Sequence, residues 1–289
     1  MGGGAWTASS VTNYVSNNAL FTSLGATTLD SLTSFSASQV YAARKLDPLL
    51  DPKNVIRECC DSEEHPNTFP VIIGLDVTGS MGKATVACAA KLNDIMENLY
   101  GKVSDIEFMM MGIGDLSYDN APIQVTQFES DVRILDQTTK IYFEGGGGGN
   151  SYESYTAAWY FGLYHTKLDC WNRGKRGLII TMGDEPLNPY LPGVNLAEVT
   201  GDSAQNVDTI ELYDEVIKKF DIYHIAITDQ ESCFARYEER IKNSWGKVLG
   251  QHLLFGKSDD LPEIIGNIVD DHLGNSTFVV NSTGDGIKW

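Results

Sequence analysis

The chain has 289 residues, of which 42% are hydrophobic and 21% charged. That is the balance of a soluble globular protein, long enough for one large domain or a domain with a substantial appendage. Asp and Glu number 39 against 21 Lys and Arg, giving a formal net charge of -18. Such a charge excludes the cation-driven, counterion-releasing mode of nucleic-acid binding and opposes docking on an anionic membrane. Acidic oxygens in this abundance suit a divalent cation instead.

No run approaches the roughly 20 apolar residues of a membrane span. The opening MGGGAWTASS has neither the basic region nor the apolar core of a secretory signal. Trp6 stands where a myristoylation signal needs Ser or Thr. Five cysteines, Cys59, Cys60, Cys88, Cys170 and Cys233, form no C-x-x-C pair and no His-interleaved zinc spacing. The expectation is a cytoplasmic protein with reduced thiols, in which the sequons at Asn275 and Asn281 occur by chance.

Three segments are expected: an N-terminal Ser/Thr/Asn-rich arm or docking segment over residues 1–67, a main domain over 68–275, and a C-terminal extension over 276–289. The first 43 residues hold a single charge, Asp30, yet carry Trp6, Tyr14, Val15, Leu20, Phe21, Leu24, Leu29, Leu32, Phe35, Val40 and Tyr41. So many apolar anchors predict packing on the body or on a partner, self-assembly included. Turns at Asp47-Pro48 and Asp51-Pro52 follow.

Phe69 to Leu75 (FPVIIGL) reads as a buried strand, and Met81, Ala84, Cys88, Leu92, Ile95 and Leu99 as one amphipathic helix behind it. Ile106 to Gly114 and Pro122 to Phe128 are the next strands, and Asp131 to Thr139 a short helix. After the loop EGGGGGN, a helix face runs through Tyr152, Tyr155, Trp159 and Gly162, then a strand over Arg176 to Thr181. Residues 185–208, with Pro186, Pro189 and Pro192, read as irregular. Helices marked by Ile210 to Phe220, Tyr237 to Val248 and Leu261 to His272 alternate with strands Ile222 to Thr228 and His252 to Phe255. The alternation predicts an α/β protein: a doubly wound, mostly parallel central sheet with helices on both faces.

Ligands in such sheets bind where strands end. The first strand runs into Asp76-Val-Thr78-Gly-Ser80-Met-Gly, alternate residues whose oxygens can face one point in a tight turn. The glycine loop ends in Asn150-Ser151-Tyr152-Glu153-Ser154 at an expected helix start, and a later strand ends in Thr181-Met182-Gly183-Asp184-Glu185. Hydroxyls and carboxylates from three loops compose an oxygen-only site for a hard cation.

LDVTGSMG after an apolar strand resembles the metal-ion-dependent adhesion site of von Willebrand factor A (vWA) domains, whose first motif reads Asp-x-Ser/Thr-x-Ser. The likeness spans about Phe69 to Leu273 and includes the order of strands and helices. It implies that Asp76, Thr78, Ser80, Glu153 and Asp184 hold Mg²⁺ or Mn²⁺. Glu153 resembles the second-loop acidic ligand of the integrin beta branch, with Ser151 or Asn150 as alternatives. Thr181-Met182-Gly183-Asp184 departs from the usual Thr-Asp-Gly, placing the Asp late. RECCDSEEHPN and the five glycines look like an intracellular prokaryotic or phage branch, members of which act beside AAA+ ATPases. The resemblance implies a non-enzymatic module that captures a partner protein through an Asp or Glu replacing water on the ion.

Two other classes compete. Asp-Val-Thr-Gly-Ser also resembles the nucleophile loop of haloacid dehalogenases, which implies a phosphohydrolase with Asp76 as nucleophile, although Val77 replaces the Lys of its ATPase members. A structural assembly subunit with a vestigial metal site is the third. Asp115, Asp119 and Asn120 read as turn residues rather than a second cation site, Met109 to Met111 as core, and Gly145 to Gly149 lacks the Lys-Ser/Thr ending of a phosphate loop.

Overall fold

A strand buried on both faces carries no alternation of polar residues, and FPVIIGLD is buried along its whole length, Phe69–Asp76 (β1). The computed structural model describes residues 4–146 and 149–275; the expected C-terminal extension lies outside them. Five further strands join β1: Ile106–Ile113 (β2), Ile123–Val125 (β3), Gly177–Gly183 (β4), Phe220–Ile227 (β5) and Leu253–Gly256 (β6). Their spatial order is β3-β2-β1-β4-β5-β6, and every pairing is parallel except that of edge strand β3 with β2.

The helices are Ala8–Asn17 (α1), Ala19–Leu24 (α2), Ala37–Val40 (α3), Gly82–Ala90 (α4), Leu92–Tyr100 (α5), Arg133–Thr138 (α6), Ala157–Tyr164 (α7), Gly193–Thr200 (α8), Thr209–Val216 (α9), Phe234–Leu249 (α10) and Leu261–His272 (α11). Successive strand residues point to opposite faces, so Val71, Ile73, Met110 and Ile180 enter one apolar layer with α4, α5 and α11. Ile72, Met109, Met111 and Ile179 enter the other with α7, α9 and α10. This is the doubly wound architecture. The chain leaves β1 outward through β2 and β3, then returns to β4 on the other side, so the β1/β4 boundary is the topological switch point.

The N-terminal segment is folded into this body. Trp6, Val11, Val15, Phe21, Leu32, Val40 and Tyr41 share one apolar cluster with β1, α4 and α5. The Tyr41 hydroxyl donates to the Thr85 carbonyl at 2.8 Å, and the Trp6 indole N–H to Asn93 Oδ1 at 3.0 Å. Residues Ala84 to Ala90 of α4 are therefore buried all round, sheet on one side and N-terminal helices on the other. Small side chains permit that sandwich. The helix expected from Met81 to Leu99 is two helices, with Lys91 (φ -87°, ψ 0°) as the joint; only the second, α5, has one exposed face.

Other boundaries differ from expectation. The strand expected over Pro122 to Phe128 is three residues long. Residues 185–208 contain α8 and a short antiparallel pair, Tyr190–Leu191 with Val207–Asp208. The prolines there punctuate structure rather than prevent it: Pro192 precedes α8, and Gly201 closes it at φ +88°. The helix after the glycine loop begins at Ala157, so Asn150 to Ser154 are loop residues. The cysteines are all free thiols, and among the described residues no helix is long and apolar enough to cross a membrane.

Candidate metal site at the switch point

Asp76 closes β1, and the chain turns through Thr78-Gly79-Ser80 into α4. Asp76 Oδ1 accepts the Thr78 N–H at 2.9 Å and the Thr78 hydroxyl at 2.6 Å. Its Oδ2 accepts the Tyr155 hydroxyl at 2.7 Å. Asp184, the residue after β4, is placed across the switch point. Its Oδ1 accepts the Ser80 hydroxyl at 3.1 Å, and its Oδ2 the Cys233 N–H from the loop before α10. Because β4 runs one residue beyond Met182, the partner of Leu75, the late Asp of Thr-Met-Gly-Asp still emerges at the strand end.

Asp76 and Asp184 are fully buried, and Glu153 from the second loop nearly so. Glu153 Oε2 has no hydrogen-bond partner among the described residues. Burial, and then the charge of Asp184, pushes the Asp76 carboxyl up to about 8 against the pull of the Thr78 and Tyr155 hydrogen bonds. Burial, and then Asp76, pushes Glu153 up to about 11. Asp184 is raised by burial, opposed by the Cys233 and Ser80 hydrogen bonds. Glu185 behind them rises to about 7 through burial and Asp184, eased by Arg240. The largest influences on Asp76, Glu153 and Asp184 include no basic side chain. Carboxylates held together without a cation favour protons or a metal ion.

The sequence alternatives to Glu153 are engaged locally. Asn150 Oδ1 accepts the Tyr152 N–H at 3.1 Å, and Ser151 Oγ accepts the Tyr237 hydroxyl at 3.0 Å. The glycine loop folds against the first motif: the Gly79 N–H donates to Gly146 O at 2.8 Å and the Glu144 N–H to Val77 O at 3.1 Å. A Cβ on Gly79 would stand 2.9 Å from the Gly145 carbonyl, closer than side chains tolerate.

Tyr155 is the member that sequence reasoning placed only on a helix face. Its ring lies edge-on to His224, which stacks on Trp245 at 3.7 Å and bonds Thr181 Oγ1 through Nδ1 at 2.8 Å. Burial pushes His224 down to about 3, so the ring is neutral. Burial, and then Asp76, pushes Tyr155 well above its ordinary value, so it remains a donor to Asp76. Gly183 makes room for it, since a Cβ there would collide with the Tyr155 hydroxyl. No spacing in the sequence marks Tyr155, Gly183 or Cys233 for these roles.

The residues fit a hard divalent cation by their donor chemistry: carboxylates on three loops, the Thr78 and Ser80 hydroxyls, and a carboxylate oxygen without a partner. Among the described residues, no three or more His, Cys, Asp or Glu side chains are grouped closely enough to cage a metal by themselves. An ion here would rely on the hydroxyls and on water.

The fold is a doubly wound, mostly parallel α/β sheet, and solved structures similar to the chain include vWA domains. It is similar to the pilus adhesin SpaC from Lactobacillus rhamnosus GG in an open conformation, at 10% identity and TM-score 0.46, over 77% of this chain and 31% of that one. The vWF domain of the type V pili tip protein Mfa5 from Porphyromonas gingivalis matches at 11% identity and TM-score 0.44, over 74% of this chain and 98% of that one. The SpRpn10 VWA domain matches at 13% identity and TM-score 0.39, over 71% and 95%. The chain thus spans about a third of the adhesin's length. No family model matches the chain, and no curated protein matches it. Likeness at this level concerns the chain path alone.

Proposed function

We propose that the protein is a non-enzymatic interaction module that captures a partner protein's Asp or Glu through Mg²⁺ or Mn²⁺ held by Asp76, Thr78, Ser80, Glu153 and Asp184. The observation that carries the reading is the gathering of buried carboxylates at the switch point with no basic partner and with Glu153 Oε2 unpaired. When bound, the ion supplies an electrophilic position that a partner carboxylate occupies in place of water. The chain's own residues orient it. Thr78 and Tyr155 fix both Asp76 oxygens, and Ser80 and Cys233 fix Asp184. Gly79 and Ser80 lie toward solvent, which gives the partner its approach.

An accessory or adaptor role beside an AAA+ ATPase or in a larger assembly is part of the proposal on resemblance alone. Two features of the site speak against the phosphohydrolase reading. Asp76 is fully buried and both its oxygens accept hydrogen bonds, so neither is presented for in-line attack. Self-assembly through residues 1–67 has less to work with, because the apolar anchors of that segment are spent within the chain.

The test is thermal unfolding of wild type and Asp76→Ala in EDTA and in millimolar Mg²⁺ or Mn²⁺. A bound ion stabilises the native state by roughly 2.7 kcal/mol at a hundredfold excess over its dissociation constant. A metal-dependent rise confined to wild type supports the reading; equal curves with and without metal in both proteins contradict it.

A further inference from the structure

A cavity of about 400 Å³ opens where the N-terminal segment meets the start of α4. Its apolar walls come from three separate stretches of chain: Phe35 and Ala37, then Gly82 and Val86, then Phe143 ahead of the glycine loop. Ala37 and Val86 are buried, but Phe35 and Phe143 only partly so, which leaves aromatic surface uncovered at the opening. Gly82 keeps the floor clear: a Cβ there would stand 3.4 Å from Phe143 Cζ and 3.6 Å from Ala37 Cβ. The tip of the Phe143 ring and the Ala37 methyl thus converge on a residue that has no side chain.

Bonds within the chain hold these walls together. Ala42 and Tyr142 form an antiparallel bridge, the Glu144 N–H donates to Val77 O at 3.1 Å, and the Tyr41 hydroxyl ties the end of α3 to α4 at the Thr85 carbonyl. The cavity also reaches the proposed ion site, because exposed Gly79 lines it and stands between Thr78 and Ser80 in the first motif. Adjacent Cα atoms are about 3.8 Å apart. A partner chain with its carboxylate on the ion therefore brings the side chain one or two residues along to this opening. Among the described residues Lys83 is the only base on the lining, and its 3.3 Å ion pair with Glu231 is exposed on both sides. Such a surface pair is weak, which leaves Lys83 able to receive the negative charge that the partner carries.

We propose that this cavity is a specificity pocket for an apolar side chain, Leu, Ile, Met or Phe, one or two residues from the Asp or Glu with which the partner reaches the ion. The partner segment is then acidic and apolar within one short extended stretch. The inference rests on the switch-point reading and adds a second contact that needs no metal chemistry. It also gives the N-terminal segment a task, because Phe35 and Ala37 complete a wall that the α/β body alone does not supply. Burial of such a side chain stabilises the complex in proportion to the apolar area covered, and 400 Å³ lies within the range of ligand pockets.

The experiment selects a displayed heptapeptide library, with Asp fixed at the centre and the flanks random, on the immobilised full chain in millimolar Mn²⁺, eluting with EDTA. The expected result is enrichment of Leu, Ile, Met or Phe at a position within two residues of the Asp. Replacing that residue by Ala in a synthetic copy of an enriched peptide should weaken binding roughly tenfold or more, read by fluorescence anisotropy. Phe143→Ala removes a wall, and Ser38→Trp crowds the exposed rim without deleting buried packing. In either variant the preference for the apolar peptide should fall to about twofold or less, while the Mn²⁺-dependent rise in melting temperature stays. A preference retained in both folded variants overturns the inference. So do enrichment with no apolar position, an apolar preference equally strong in EDTA, and failure of EDTA to elute any peptide. Any of these together with a Mn²⁺-dependent melting rise sinks this inference alone. No melting rise and no EDTA-eluted peptide sinks the switch-point reading with it.

Discussion

Asp76→Asn separates the electrostatics of the switch point from its packing. The substitution leaves Oδ1 to accept from Thr78 and places an amide where Tyr155 can turn its hydroxyl to accept, so the hydrogen-bonded frame survives while the charge goes. In the metal-free wild type, burial and Asp184 raise the Asp76 carboxyl from 3.8 to about 8. A carboxylate raised on folding makes the folded state bind its proton more tightly. Its contribution is therefore full at low pH and is lost as pH rises from the unfolded value through about 8. At pH 7 the shift has acted over about three units, an upper bound of ~4 kcal/mol at about 1.4 kcal/mol per unit. Because Asp184 and Glu153 share the repulsion, removing one charge recovers only part, on the order of 1–3 kcal/mol. Denaturant unfolding in EDTA should show Asp76→Asn more stable than wild type at pH 7 to 8, with the advantage shrinking toward pH 4. In Mn²⁺ the order should reverse, since the ion stabilises the wild type alone. If Asp76→Asn is less stable than wild type in EDTA at pH 8, or is stabilised as much by Mn²⁺, the reasoning fails.

Tyr155→Phe removes a donor to a buried carboxylate and should cost about 1.5–3 kcal/mol, read as a lower denaturant midpoint with unchanged slope. Gly183→Ala drives a methyl into the Tyr155 hydroxyl and should cost about 1–3 kcal/mol while weakening Mn²⁺ binding. Leu32→Ala, in the N-terminal segment but fully buried against α4, should cost about 2–5 kcal/mol; an unchanged melting temperature would show that the segment is not part of the core. His224 is depressed from 6.5 to about 3 by burial, so its contribution is complete above pH 6.5 and is lost as pH falls toward 3. His224→Phe should flatten stability over that acid window, which unfolding at stepped pH would detect.

The central strands were legible because runs such as FPVIIGL and RGLIIT are buried on both faces, and a doubly parallel sheet needs that composition. The first loop was legible because Asp76, Thr78 and Ser80 lie within five residues of chain. The rest of the site depends on contacts that no local pattern encodes. Asp184 meets Ser80 across more than a hundred residues, and Tyr155 reaches Asp76 only because Gly183 lacks a side chain. The same holds for the N-terminal segment: Trp6, Phe21 and Leu32 announced burial, but not that the opposite face of α4 would receive them. That face also explains the misreading of Met81 to Leu99, because a helix covered on both sides shows no polar stripe to set its period. α8 was hidden by the prolines that precede it.

Whether a divalent ion sits at the switch point is tested most directly by crystals grown with Mn²⁺, in an anomalous difference map recorded at the manganese edge. The account predicts a peak between Asp76, Thr78, Ser80 and Asp184, within reach of Glu153 and absent in crystals of Asp76→Ala. A map with no peak at that position, from crystals that hold manganese elsewhere, would contradict it.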